Sequence, residues 1–589
     1  MTNKINKQLL KQTEWDLDAL LPKYKSAAHN AFVKSISVLV DKIVAQRSLL
    51  TSSITIPQFK SLMKEMEQLS FMLSKLSAHA SFNYSKNVKD TAAKSYVAFV
   101  EEFGADISNR LLYFEQWYIK LPETKARQLA DSLGDDAHSF HEKYDHGKHV
   151  LSEAEEKIIN LKDITGASAH IKFYDSIVSG WSFDYDGKKQ SLSQLSKYLQ
   201  SADRKKRKEA DALIEAKFKE YEDLLGDIYV ALTKDYDIEE VKLRKYESPL
   251  AVRAKSEEIS IAAINSLFAA VKSQQKVFHD FFALKAKLMS QKKLESYDLN
   301  APLSKTKTEK IPYPQAMRNV LSAIEHISPR FLSLVEKMIA AHHVDSVFHK
   351  NKQRGAYNCG LPNGIMPYVF MQYLGERTDM FTIMHELGHS VHSMHMNKYS
   401  SFTSGAPIGI CESVSTFFEE ILFEQELQTA SAVKKKELLA WKLTDLFGSV
   451  SNGAFVSNFE VVAHNLVSAG ATHQDLSAQW TKLKKEQLGA AVKTRPHLIG
   501  WMGIPHIYEM PFYYYNYAIG NLIALLFLQQ FKKDPVGFRA RFEKYLSVGG
   551  TLGTVETLKV MGIDVEDKKT WETAFVLIND RVAQLKSLL

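Results

Sequence analysis

The chain has 589 residues, of which 45% are hydrophobic, 24% charged and 11% aromatic, and its formal net charge is +7 at pH 7. This is ordinary globular composition with material for large cores, and a charge so mild does not mark a nucleic-acid binder. Two cysteines, Cys359 and Cys411, exclude a disulfide framework and suit a reducing compartment, and no apolar run approaches the roughly 20 residues that cross a bilayer.

The opening, MTNKINKQLLKQTEWDLDALLP, is polar and lacks an apolar core of leader length, so a cytoplasmic protein is expected. Glycine (26) and proline (15) are scarce, and apolar residues recur every three or four positions, as in AFVKSISVLVDKIVAQRSLL from Ala31 and SLFAAVKSQQKVFHDFFALKAKLM from Ser266. The pattern predicts a mainly helical protein without internal repeats. A hairpin is expected at 181–192, where Trp181, Phe183 and Tyr185 alternate into an Asp186-Gly187 turn. Ser191 is then placed to cap a helix through LSQLSKYLQSADRKKRK. The basic runs near Asp203 and Val433 mix lysine with glutamate at helical spacing and read as solvated helix faces. Residues 354–373, RGAYNCGLPNGIMPYVFMQY, read as an irregular loop ending in a β-like run, with an edge strand able to pair with an extended peptide.

Residues 385–395 read HELGHSVHSMH. On a helix, positions four apart share a face, so His385 and His389 can aim their imidazoles at one point, with Glu386 beside it. This is the H-E-x-x-H arrangement, in which two histidines hold zinc and the glutamate serves as general base. A third ligand is needed. His395 stands where a longer motif places one, but that motif needs a glycine three residues earlier to turn the chain, and here the position is His392. His392 and His395 are therefore read as non-ligands, with His392 close enough to touch substrate. The better candidate is Glu412 in IGICESVSTFFEEILFEQEL, a second helical pattern from Ile408. Glu419, seven residues on, falls within about 20° of the same face and is placed to hydrogen-bond a ligating imidazole.

HELGHSVH followed by CESVSTFFEE closely resembles the zinc oligopeptidases of the thimet oligopeptidase and oligoendopeptidase F type. TEWDLDALLP, GAYNCGLPNGIMPYVFMQY and IPHIYEMPFYYYNYAIG resemble the opening, the glycine-rich loop and the C-terminal His/Tyr segment of the oligoendopeptidase F branch. The resemblance implies a mainly α, two-lobed ellipsoid with a deep substrate channel and a small sheet beside the zinc helix. It divides the chain into an N-terminal helical region, 1–200, and a catalytic domain, 201–589. One zinc ion on His385, His389 and Glu412 is implied, with short peptides as substrates, Glu386 as base, and Gly355, Ala356, Tyr357, Gly360 and His392 contacting the peptide. His506 and Tyr517, then Tyr514 and Tyr508, are the expected donors to the oxyanion of peptide hydrolysis, whereas Tyr513 and Tyr515 are expected to pack in a core.

Pro511 suits a first helical turn, which predicts a helix from Phe512 to Leu528. Neither nucleic-acid nor membrane partners are expected. Cys359 and Cys411 flank the inferred site, so thiol modification is expected to inhibit. Two rivals stand beside the endopeptidase: a carboxypeptidase or dipeptidyl carboxypeptidase, with Arg354 or Arg377 fixing the substrate carboxylate, and a non-catalytic peptide-binding protein. The presence of Glu386, needed for chemistry and not for metal, argues against the latter.

Overall fold

The apolar repeats form helices whose ends carry their own stop signals. A computed structural model describes residues 7–303, 310–495 and 499–589. Helix makes up 71% of the structure, with small sheets and no closed barrel among the described residues. The repeat near Ala31 becomes the helix Ala27–Ala45, capped by the Ser26 side chain accepting from the His29 amide. Two expected helices are broken. The stretch from Ser266 divides into Ile261–Ser273 and Lys276–Leu288. Ser191 does cap a helix, through a capping box with Gln194, but that helix ends at Ser196. Asp203 then starts another, Arg204–Glu220, by accepting from the Lys205 amide. At Asp203 an acidic cap outcompetes continuation, because it satisfies a free amide of a new first turn; the helix from Lys276 starts without a side-chain cap.

The hairpin forms as expected. Strands β1 (Ser182–Tyr185) and β2 (Lys188–Ser191) pair antiparallel, and Asp186 and Gly187 both take positive φ, 54° and 70°, which matches the strand twist. The second sheet has three short strands in the order β3-β5-β4: β3 (Val344–Asp345), β4 (Tyr357–Cys359) and β5 (Tyr368–Phe370). β3 runs parallel to β5 and β4 antiparallel to it, leaving one edge of β4 unpaired within the sheet.

The chain folds into two compact units, each assembled from three stretches: Met1–Lys148, Thr308–Phe423 and Gln530–Gly562 in the first, His149–Lys307, Glu424–Gln529 and Ile563–Leu589 in the second. In the first unit, long helices Ile56–Lys86 and Thr91–Tyr118 bury Leu62, Leu69 and Leu76 with Tyr96, Ile107 and Phe114. The N-terminal TEWDLDALLP segment supports the three-stranded sheet of the same unit. Trp15 packs against Phe82, Tyr368 and Phe370, and its indole N–H donates to the His343 carbonyl at 3.0 Å. In the second unit, Leu225, Tyr229, Val456, Phe459, Trp480 and Trp501 share a core, with the hairpin's Trp181 and Phe183 packed into it.

A buried ion pair fixes the loop that leads into β4. Lys352 and Asp345 are 0% and 1% exposed and 2.6 Å apart, and the ammonium also donates to the carbonyls of Val347 and Met371 at 2.9 and 2.7 Å. Replacing one partner leaves the other charged and buried, a cost of about 3–5 kcal/mol. Lys352→Met is therefore expected to lower the urea unfolding midpoint sharply, and Lys352→Met with Asp345→Leu to recover most of the loss. Equal midpoints for wild type and Lys352→Met would show that the pair is dispensable.

Candidate active site

The histidine helix spans Arg377–Met396 and starts on a capping box in which Glu376 and Asp379 satisfy each other's amides. Its neighbour, Ile408–Thr429, carries Glu412 and Glu419. The two helices approach closely because of Gly388: a Cβ there would lie 2.9 Å from the Ser415 Cα and 3.2 Å from the Phe418 ring. That contact is available only to glycine, and it brings both glutamates to one ring of the histidine helix.

His385 is held from both sides. Its Nδ1–H donates to Glu419 at 2.6 Å, which leaves the Nε2 lone pair facing Glu412 at 3.4 Å and the Nε2 of His389 at 3.1 Å. His389 Nε2 is 3.8 Å from Glu412. Three ligands around zinc at roughly 2.0–2.2 Å in a tetrahedron stand about 3.3 Å apart, so two nitrogens and one carboxylate oxygen at these separations fit a metal of that size. The donor set of His385, His389 and Glu412 thus has the geometry to hold one metal ion.

The electrostatics follow from burial and from this clustering. Burial opposes protonation of His385, yet the carboxylates of Glu412 and Glu419 outweigh it and hold the ring's proton affinity well above its ordinary value. The same pull favours any cation at that point. Burial lowers His389 to about 4. Glu386, 6% exposed, is raised to about 7 by burial and by the neighbouring glutamates.

His385, Glu386, His389 and Glu412 line a cavity of about 450 Å³ together with Ala356, Tyr357, Asn358, Gly360 and His392. β4 is pinned to the histidine helix by Asn358, which donates to Ser390 at 2.7 Å and accepts from Ser393 at 3.1 Å. Gly360 lies against the same helix, where a Cβ would sit 2.7 Å from Ser393 Oγ. Gly355 takes φ +90° and is not among the residues lining the cavity. His392 is 1% exposed, and neither ring nitrogen has a hydrogen-bond partner. His395 instead donates to the Val391 carbonyl at 2.7 Å and meets Phe331 edge-on, a packing position. Cys411 lines the cavity, whereas burial raises the Cys359 thiol to about 11 and disfavours its thiolate.

The C-terminal His/Tyr segment belongs to the second unit and differs from the expected helix. Phe512 takes φ +62° and the helix begins only at Tyr515, so Pro511 does not open it. The kink is held by the helix Asn452–Ser468: Glu460 accepts from the Phe512 amide at 2.7 Å and Ser457 from the Tyr515 amide at 3.0 Å. Gly453 of that helix admits the segment, a Cβ there lying 3.0 Å from the Tyr514 carbonyl. The result gathers His506, Tyr513, Tyr514 and Tyr517 into one aromatic cluster, with ring centroids 5.1–5.5 Å apart. Tyr513 was expected in a core and stacks on His506 instead, because the kink turns it out of the helical register. Tyr515 is fully buried. Tyr508 also lies in the core, stacked on Tyr174 at 3.9 Å with its hydroxyl donating to the Leu225 carbonyl at 3.4 Å, so its polar atom is already engaged.

Sequence reasoning missed Asn358, Gly388 and Tyr513. The glycine inside HELGH was the available signal for the close helix approach; nothing in the spacing singled out Asn358.

Residues 197–577 match the model of peptidase family M3, and residues 118–183 match that of oligopeptidase F. An oligoendopeptidase F homolog of Borreliella burgdorferi is 25% identical over 100% of this chain and 99% of its own. Oligopeptidase PepF of Bacillus subtilis is 23% identical over 88% of this chain and 79% of its own. Among solved structures, a putative peptidase from Chlamydophila abortus superposes with a TM-score of 0.84 at 21% identity, covering 100% of this chain and 99% of that one. Oligoendopeptidase-F from Enterococcus faecium superposes with a TM-score of 0.71 at 19% identity, covering 95% of this chain and 99% of that one. These likenesses share the helical fold.

If Glu419 orients His385, then Glu419→Gln is expected to weaken metal binding 10–100-fold with unchanged far-UV circular dichroism. A chelator competition titration reads this directly, and undiminished affinity would remove Glu419 from the site.

Proposed function

The chain belongs to peptidase family M3, and from that premise we propose that it is a zinc-dependent oligoendopeptidase, cutting internal bonds of short peptides in the cytoplasm. That it is a peptidase follows from the family; the zinc, the base and the substrate class are our reading. The observation that carries it is the grouping of His385, His389 and Glu412 with Glu386 on one cavity. Imidazole with carboxylate is a donor set suited to zinc. The family match over 197–577 supports taking 201–589 as the catalytic part, and no helix among the described residues is long and apolar enough to cross a membrane.

Zinc, when bound, polarises the scissile carbonyl and acidifies water towards a pKa of about 7. Glu386 takes the proton from the attacking water and passes it to the leaving amine, and its burial keeps its proton affinity near neutrality for both transfers. The unpaired edge of β4 offers its backbone to an extended peptide, with Ala356, Tyr357 and Gly360 along it, and Gly355 turning the chain into it. His392 presents an unengaged imidazole to the same cavity. His506, Tyr517 and Tyr514 are assigned as donors to the tetrahedral oxyanion through the family resemblance. We give Tyr508 a packing role, since its hydroxyl is engaged in the core.

The endopeptidase is favoured over the carboxypeptidase by charge. No lysine or arginine is among the residues lining the cavity, and Arg354 and Arg377 lie outside it.

Metal analysis paired with turnover of an internally quenched peptide tests the proposal. Wild type and Glu386→Gln are both expected to carry one zinc per chain, with kcat roughly 10²–10⁴-fold lower in the variant and equal cleavage of free and C-terminally amidated peptides by wild type. Absence of zinc from both proteins would refute the site; loss of cleavage on amidation would establish the carboxypeptidase. Tyr517→Phe is expected to lower kcat roughly 10²-fold with metal content and KM unchanged; an unchanged kcat would take Tyr517 out of the mechanism.

A further inference from the structure

The cavity that holds His385, His389 and Glu412 has a wall that the chemistry of peptide hydrolysis does not use. Leu361, Met396, Ser404, Gly405, Ala406 and Cys411 line it beside the donor residues. Leu361 and Met396 are buried, at 5% and 4% exposure. Apart from Glu386 and Glu412, no lining residue is a lysine, arginine, aspartate or glutamate.

Residues 397–407 join the histidine helix to the helix of Glu412, and the stretch is fastened along its length. The Tyr399 hydroxyl donates to the Ser547 carbonyl at 2.6 Å. Thr403 donates to Asp136 at 2.7 Å, and Ser400 donates to the same carboxylate. The Gly550 amide donates to the Thr403 carbonyl at 2.8 Å, and a Cβ at Gly549 would lie 2.7 Å from that oxygen. At the far end, the Cys411 thiol donates to the Ala406 carbonyl at 3.4 Å. A wall held in this way is preformed.

Between these anchors stands a glycine that neither packing nor backbone conformation explains. The cavity's other glycine, Gly360, is demanded by contact, since a Cβ there would sit 2.7 Å from Ser393 Oγ. A Cβ at Gly405 would meet no atom within 4 Å, and its φ lies outside the left-handed region that favours glycine. Gly405 is exposed and borders the cavity. What glycine supplies there is room.

We infer that Gly405 sets the side-chain preference of the enzyme: the space beside it receives a large apolar or aromatic side chain of the substrate, next to the bond that is cut. This rests on reading the cavity as the peptide site. Burial of such a side chain against Leu361, Met396 and Cys411 gains the transfer free energy of its apolar surface. An acidic side chain would find no lysine or arginine on the wall to answer its charge. A side chain introduced at Gly405 takes up the same space without colliding with its neighbours.

The test compares full-length, metal-loaded wild type, Gly405→Ala and Gly405→Leu on matched internally quenched peptides. Each pair carries phenylalanine or alanine at the residue on one side of the cut bond, and mass spectrometry of the products locates that bond. Wild type is expected to favour phenylalanine over alanine in kcat/KM by roughly tenfold or more on one side. That ratio is expected to fall in Gly405→Ala and to vanish in Gly405→Leu, with metal content and unfolding midpoint equal to wild type. Gly405→Ala, the smaller change, decides alone if Gly405→Leu unfolds. No preference in wild type, or a ratio unchanged in the variants, would overturn the role of Gly405 and leave the endopeptidase intact. Cleavage of neither peptide by wild type would overturn the endopeptidase reading and this inference with it.

Discussion

The candidate active site depends on one imidazole gripped at both nitrogens by carboxylates of a single neighbouring helix. Glu419 fixes the tautomer of His385 from one side and Glu412 faces its Nε2 from the other. The grip needs two glutamates on one helical face, which the seven-residue spacing supplies, and two helix axes closer than side chains normally permit, which Gly388 supplies. Any residue larger than glycine at 388 must push Ser415 away, and with it the face that carries both acids. Local backbone permissiveness at one position is thus converted into the geometry of a metal-sized donor set.

The same helix also positions the surface on which a peptide is proposed to lie. Asn358 bonds to Ser390 and Ser393, one turn apart on the histidine helix, so β4 is registered against the helix that carries His385 and His389. Behind the sheet, Trp15 of the N-terminal segment fills the space against β5, and Lys352 ties the preceding loop to β3 through Asp345. A short two- or three-residue strand is marginal alone. Here it is made rigid by an aromatic pack on one side, a buried ion pair at its entrance and a side-chain clamp to a helix.

Much of this was legible because it obeys periodicity. The alternation at 181–185 with Asp186-Gly187 gave the hairpin, and the spacings 385/389 and 412/419 gave residues that converge in space. What escaped were features set by a single side chain against a distant backbone group. Asp203 starts a new helix through its own cap in the middle of one continuous pattern. Phe512 takes a left-handed φ that its type disfavours, because Glu460, some fifty positions earlier in the chain, accepts its amide. A period cannot announce such a partner, which is why the helix start and the place of Tyr513 were misread together.

That kink also shows how the second unit holds its aromatic cluster. Arg253 donates to the Pro511 carbonyl at 3.1 Å while Glu460 accepts from the next amide, so the turn is clamped at both polar groups of adjacent residues. Glu460 is 1% exposed, and burial raises its carboxyl to about 8, with its second oxygen unpartnered. At neutral pH the clamp is therefore a neutral acid in the folded chain and a carboxylate in the unfolded one. A folded-state value above the unfolded value means that folding takes up a proton. Burial of Glu460 accordingly costs least below the ordinary carboxylate value and more as the pH climbs from there to about 8, while the Phe512 amide bond itself favours the ionised form. The aromatic segment thus trades stability at alkaline pH for a backbone turn that lifts Tyr513 and Tyr514 out of the helix and sets both against His506, with Tyr517 packed on the two tyrosines.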